Sequence, residues 1–329
     1  MRRLAAAVWN PTPADMRRIA LSGIAASALI IVTGAAVRLS QSGLGCPDWP
    51  QCTARSLVAA GDTGDSLIHR WVEFGNRLVT VAIFVIAAIV CVTAWRFRPG
   101  RDAAGHRARR KDLVWLAAAQ PGAIVVQAGL GGIVVLTKLD PIWVSVHYLA
   151  SAALVAATVA LYVRCQESTA PPRLLVPRLV SRLSLGLVGV IALMLTAGTV
   201  VTGTGPLAGA KDVPRYSLPL EGVTQLHADI GWLLGGVLVA VIVAMRLTGA
   251  PRRAVRLGWL LLGLILFQGA VGYAQYFSGL PAGLVWVHEA GAASIWVTVL
   301  LLPYALRDRG SVTQATADDL GPVTQVAVS

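Results

Sequence analysis

The sequence predicts an all-α fold: a polytopic membrane protein with eight transmembrane helices, arranged as two pseudo-repeated four-helix bundles. Three observations predict it. Hydrophobic residues make up 56% of the chain and charged residues 13%, with a mean hydropathy of +0.67, whereas an ordinary soluble domain is roughly 45–50% apolar. The apolar residues fall in eight runs, at 18–39, 71–95, 113–136, 142–163, 181–203, 223–246, 255–277 and 283–305, each near or above the ~20 residues that cross a bilayer core. The chain also repeats itself. VVQAGLGGIVVL resembles LFQGAVGYAQYF and WVSVHYLASAAL resembles VWVHEAGAASIW, and Gln127 precedes His147 by the same twenty residues by which Gln268 precedes His288.

Residues 1–17 form a basic N-terminal tail. Span one is too long for the apolar stretch of a typical leader and is read as a retained helix. Spans one to four make the first bundle, 18–163; a linker, 164–180, joins it to the second bundle, 181–305; a tail, 306–329, follows, polar from about Ser311 and expected to be disordered. Helices are the natural form because an isolated span in lipid must satisfy its own backbone hydrogen bonds. If the N-terminus is cytoplasmic, the two tails and the even-to-odd connections hold 21 of the 28 Lys and Arg. The densest cluster is RFRPGRDAAGHRARRK, in which His106 is read as a solvated side chain. This asymmetry places both termini in the cytoplasm. The net charge of +12 then answers to topology and anionic membrane lipid. Nucleic acid is excluded as a partner, because no soluble domain holds the charge.

The loop after span one reads SGLGCPDWPQC, on the non-cytoplasmic side. A disulfide between Cys46 and Cys52 is the main reading, because that compartment permits oxidation and a Gly/Pro-rich loop permits ring closure; two free thiols are the alternative. Cys91 and Cys165 are read as small buried residues.

His147, His227 and His288 each lie about five residues into a span that runs inward, at one common depth. A single histidine there is as readily a polar residue bonded to a neighbouring helix as a ligand. Three at one depth on alternate helices point to a paired cofactor site, since imidazole ligates iron and bundles build such sites from inward-facing side chains. A haem held between His227 and His288 is the economical form of that site. The fourth equivalent position is Asn76, in HRWVEFGNRLVT. His69, Glu73 and Asn76 share one helical face by their spacing. Glu73, inside an apolar run, is read as functional or paired, with Arg77 one turn on as the candidate partner. Arg38, Arg70 and Arg77 cluster at the outer ends of spans one and two; they could grip the carboxylates of an amphipathic ligand, such as haem propionates, or snorkel to the interface.

The SGLGCPDWPQC loop, the Glu73-led start of span two, and the histidines of QLHADIG and HEAGA resemble the haem A synthases, over about residues 18–305. The resemblance implies an oxidoreductase in a bacterial plasma membrane that converts haem O to haem A during cytochrome oxidase assembly. It does so by oxidising the C8 methyl to a formyl through successive hydroxylations. The C-terminal bundle is implied to hold haem b between His227 and His288 as an electron carrier, the N-terminal bundle to bind haem O, Glu73 to be catalytic, and Cys46 and Cys52 to be the family's cysteine pair. Many members carry histidine where this chain has Asn76. Substrate iron is therefore expected on His147, with His69 as a replacement ligand or Asn76 as a hydrogen-bonding group. Delivery of haem O by a haem O synthase and loss of electrons to an acceptor the sequence does not identify are further implications.

Two functions of other classes compete. A bis-histidine membrane cytochrome that passes electrons without modifying haem accounts for the histidines but not for Glu73 or the cysteine loop. A transporter fits two four-span halves, yet its sites usually lie near the midplane, whereas these histidines lie near one surface.

Overall fold

The structure, a computed structural model, describes residues 11–54, 56–59, 65–101 and 107–312. His106 and the tail beyond 312 lie outside the described residues. Among the described residues are eight helices long and apolar enough to cross a membrane: α1 (Pro13–Leu39), α2 (Asp65–Arg96), α3 (Lys111–Leu136), α4 (Pro141–Arg164), α5 (Arg178–Thr204), α6 (Leu220–Leu247), α7 (Arg252–Phe277) and α8 (Ala282–Ala305). Paired two-residue strands are the other regular elements: β1 (Gly100–Arg101) with β2 (Arg107–Ala108), and β3 (Arg173–Leu174) with β4 (Arg307–Asp308).

The helices outrun the apolar runs, mostly at their N-termini, because capping chemistry and not hydropathy decides where a helix begins. In α1 Pro13 opens the helix while Thr12 and Asp15 form a reciprocal capping box. In α4 Pro141 follows Asp140, whose carboxylate accepts from the Ile142 N–H. Helices α5, α6, α7 and α8 start directly after Pro177, Pro219, Pro251 and Pro281. Helix α2 begins at Asp65, so His69 and Arg70 belong to the helix that carries Glu73 and Asn76.

Helices α1 to α4 pack as a ring, with α4 closing on α1, and α5 to α8 repeat that ring. In each ring the second and fourth helices therefore face each other across the centre. The rings join where α1 and α4 meet α5 and α8. The largest buried cluster runs through that joint, with Ile24 of α1, Val155 and Val159 of α4, Leu187 of α5, and Trp296 and Val299 of α8. Two indole hydrogen bonds cross it: Trp286 Nε1 donates to the Val32 carbonyl at 2.9 Å and Trp296 Nε1 to the Ala152 carbonyl at 2.8 Å. Outward-facing positions are apolar instead of polar; Trp115 is 76% exposed and Trp232 71%. Such a surface is stable only against hydrocarbon, and the chain is an integral membrane protein.

At the end opposite the histidines an ionic cluster ties the helix ends together. Asp112 pairs with Arg110 at 2.7 Å and Arg164 at 2.9 Å, and Glu167 pairs with Arg164 and Arg307. The beginning of the C-terminal tail departs from the disorder expected of it. Strand β4 pairs with β3 of the linker, Val312 is buried, and its N–H donates to the Gln166 carbonyl at 3.1 Å.

Close helix packing makes one glycine critical. A Cβ at Gly258 of α7 would stand 2.9 Å from Met245 Cε and 3.0 Å from Ile242 Cγ1 of α6, whereas Gly263 on the same helix faces open space. Gly258→Leu should cost about 1–3 kcal/mol through overpacking and lower the unfolding temperature in detergent. Gly263→Leu should not; equal losses would contradict the α6–α7 packing.

Candidate functional site

His147, His227 and His288 each sit about two turns into a helix that starts at the same end of the molecule. What makes room for each is a glycine on the preceding helix. A Cβ built at Gly131 of α3 would meet His147 Cε1 at 3.4 Å; at Gly198 of α5, His227 Cε1 at 3.3 Å; at Gly272 of α7, His288 Cε1 at 3.3 Å. The repeated glutamines act one turn earlier on α3 and α7. Gln127 Nε2 donates to the His147 carbonyl at 3.2 Å and to Ser151 Oγ at 2.6 Å; Gln268 Nε2 donates to the His288 carbonyl at 2.6 Å. The duplicated twenty-residue spacing is thus a duplicated contact that fixes the histidine backbone across the helix pair.

In the second ring His227 and His288 approach from the facing helices α6 and α8, with ring centroids 6.3 Å apart and planes at 61°. Metal–imidazole bonds of about 2.0–2.1 Å on opposite sides of one ion place ring centroids about 6 Å apart. That separation leaves room for one bound ion between the two rings. Nδ1 of His147, His227 and His288 is buried with no hydrogen-bond partner, as a ring awaiting a bound group would be. Among the described residues no three His, Cys, Asp or Glu side chains gather into a metal cage.

The first ring differs. Its facing helices are α2 and α4; His147 is on α4, and the position on α2 that the repeat makes equivalent to His227 is Asn76, whose Oδ1 is buried without a partner. Gly34 of α1 is the equivalent of the histidine-facing glycines, and a Cβ there would meet nothing within 4 Å. The space a fourth imidazole would fill stays open. His69 lies nearer the helix start, its Nδ1 2.8 Å from the Ser42 hydroxyl.

The loop between α1 and α2 is folded over this ring's mouth. Cys46 and Cys52 form a disulfide. The Trp49 ring lies on Gly132 of α3, where a Cβ would come within 2.6 Å of it, next to the glycine that receives His147. Glu73, buried at 6% exposure, accepts from the Cys46 N–H at 2.7 Å and from Arg77 Nη2 at 2.6 Å. Arg77 also donates to the carbonyls of Cys46, Asp48 and Gln51 at 3.2, 3.1 and 3.0 Å. Thus Arg77 grips the loop and is the carboxylate's partner. Arg38 likewise has partners in the protein: its guanidinium donates to the Leu207 carbonyl and pairs with Glu289 of α8. Arg70 lies at the same end, and the Cys46 sulfur is 3.9 Å from its carbonyl.

Sequence reasoning passed over Glu289 and the three glycines. The glycine signal was available: Gly131 and Gly272 each follow a repeated glutamine by four residues, one turn along the same face. Glu289 follows His288 directly, but its partner lies 251 positions away, and no local pattern announces it.

A profile of the family described as cytochrome oxidase assembly protein (COX15-CtaA) matches residues 17–300. The chain is similar to the haem A synthase of Shewanella oneidensis, 26% identical over 87% of this chain and 94% of that protein. Shorter stretches are similar to the haem A synthases of Geobacillus thermodenitrificans, 35% identical over 22% of this chain and 20% of the relative, and of Geobacillus kaustophilus, 30% identical over 35% and 31%.

Alkylation of the denatured chain without reductant should modify Cys91 and Cys165 alone, and all four cysteines only after reduction. Mass analysis showing all four modified from the start would contradict the disulfide.

Proposed function

The chain belongs to the COX15-CtaA family of cytochrome oxidase assembly proteins, and we propose that it is a haem A synthase, the enzyme for which its relatives are named. The observation that carries this reading is the repeated histidine site, filled by two facing imidazoles in one ring and by an imidazole and an asparagine in the other. A matched pair suits a resident group; a single ligand leaves one side of a bound group open, as a substrate that must enter and leave requires.

Haem b is assigned to His227 and His288. Bound there, it supplies one-electron transfer, while the protein sets its surroundings. Haem O is assigned to the first ring, with His147 as its ligand. Asn76 is two turns, ~10 Å, further along α2 than His69, and Ser42 already engages the His69 ring. His147 alone is therefore favoured as the iron ligand, with Asn76 as a hydrogen-bonding group. Oxidation of the C8 methyl to a formyl proceeds by two hydroxylations. Each takes an oxygen atom from water and releases two electrons and two protons, and the gem-diol then loses water. The electrons pass to an acceptor outside this chain.

Glu73 is the carboxylate in position to receive a proton released in that oxidation. The Cys46 amide and Arg77 hold it still, so the disulfide loop is part of the site's precision, since a small misplacement is costly in rate. With the arginine-rich end in the cytoplasm, as basic residues favour, both sites open towards the outer surface. Haem O arrives within the bilayer, and a haem O synthase is the natural supplier.

The facing histidines would also serve a cytochrome that only passes electrons, so the test is conversion. Membranes containing this chain and a source of haem O should yield haem A on extraction and mass analysis. Glu73→Gln retains an acceptor for the Cys46 amide and should abolish haem A while leaving the haem b spectrum. His227→Ala or His288→Ala should remove the tightly bound haem b. Haem b with untouched haem O, where an active relative works in the same cells, would sink the enzyme reading in favour of the cytochrome.

The glycine contacts give an independent check. Gly272→Val should displace the His288 ring and lower haem b occupancy, whereas Gly269→Val, facing open space, should leave it unchanged. Full occupancy in both would contradict the ring placement.

A further inference from the structure

Arg38 and Glu289 make an ion pair between α1 of the first ring and α8 of the second, at the apolar joint where desolvated charges are costly unless they pair. The pair is well placed to act on more than packing. Glu289 follows His288 in the chain. By the same repeat, its counterpart in the first ring is Tyr148, which follows His147. Arg38 is also unique to its half: where the first ring has GAAVRL the second has GTVVTG, so Thr202 takes the equivalent place.

A second set of contacts seats Arg38. The loop between α5 and α6 crosses onto the first ring, where the Leu207 carbonyl accepts from Arg38 and the Gly209 carbonyl accepts from the Gly43 N–H at 2.9 Å. Gly209 adopts φ +106°, and a Cβ there would come within 3.6 Å of Arg38 Cγ. Leu139, Ala208 and Val213 bury one another beneath this crossing. The arginine is thus held from three sides: its own helix, the crossing loop and the carboxylate beside His288.

We propose that Arg38 and Glu289 are positioning residues that set the electrostatic field at His288 from the joint between the rings. The Glu289 carboxylate disfavours an added electron on the group held by His227 and His288, and Arg38, delivered from the substrate ring, offsets it. This inference rests on the haem b reading. Electron affinity at the second ring is in this way tied to the seating of α1, a wall of the substrate ring.

Redox titration of the purified haem-loaded protein tests it. Glu289→Gln should raise the reduction potential of the bis-histidine haem, increasing the reduced-to-oxidised ratio several-fold at a fixed poise. Arg38→Gln should lower it comparably, Arg38→Lys should stay near the parent, and the double variant Arg38→Gln/Glu289→Gln should return towards the parent. A pair that only latches the helices predicts shifts of one sign, or none, with haem retained, and that result would overturn the inference. Should Arg38→Gln alone fail to accumulate, the double variant compared with Glu289→Gln still isolates the arginine: an equal potential in those two would overturn its role. A parent protein lacking the bis-histidine spectrum would overturn the haem b reading itself, and this inference with it.

Discussion

A polar ring inside hydrocarbon needs both space and a purpose, and the glycine facing each histidine supplies the space. Helix axes pack 8–10 Å apart, and an imidazole projecting towards a neighbouring helix leaves little room for a side chain there. Gly131, Gly198 and Gly272 remove that side chain. On α3 and α7 a glutamine one turn away then pins the histidine carbonyl across the same helix pair. The arrangement holds the ring while leaving Nδ1 without a protein partner. In the second ring it brings two imidazoles opposite each other, with centroids 6.3 Å apart.

From this shared plan the two rings diverge in ways that suit different tasks. The second has two facing imidazoles. The first has one imidazole, open space beside Gly34, an asparagine with an unused oxygen, and a disulfide-bonded loop over its mouth. That loop is bound by charge as well as by sulfur, since Arg77 collects several of its carbonyls and Glu73 holds the Cys46 amide. Glu73, read from the sequence as functional or paired, is thus a structural contact. For this reason Glu73→Gln is a cleaner probe than truncation, because losing an acceptor to a buried amide has its own cost.

The rings do not behave as independent bundles. Apolar packing of α1 and α4 on α5 and α8, two indole hydrogen bonds and the Arg38–Glu289 pair cross the joint. At the opposite end the first residues of the C-terminal tail pair with the linker. The joint thus holds the two rings in one fixed arrangement.

The sequence by itself determined the eight helices, their pairing into repeated halves, the depth of the histidines and the face shared by His69, Glu73 and Asn76. All of these follow from hydropathy, helical period and internal repetition, which act over neighbouring residues. The Cys46–Cys52 bond was legible too, because ring closure over a short loop is a local matter. Helix starts were blurred, since proline and capping side chains lie outside the apolar runs. Tertiary structure alone decided which charges meet. Arg38 and Arg77 were as compatible with a ligand's carboxylates as with Glu289 and the loop carbonyls, and the choice rests on how distant helices and loops are brought together. A side chain's partner inside a membrane protein is set by whatever polar atom packing places within reach, and no spacing along the chain records that.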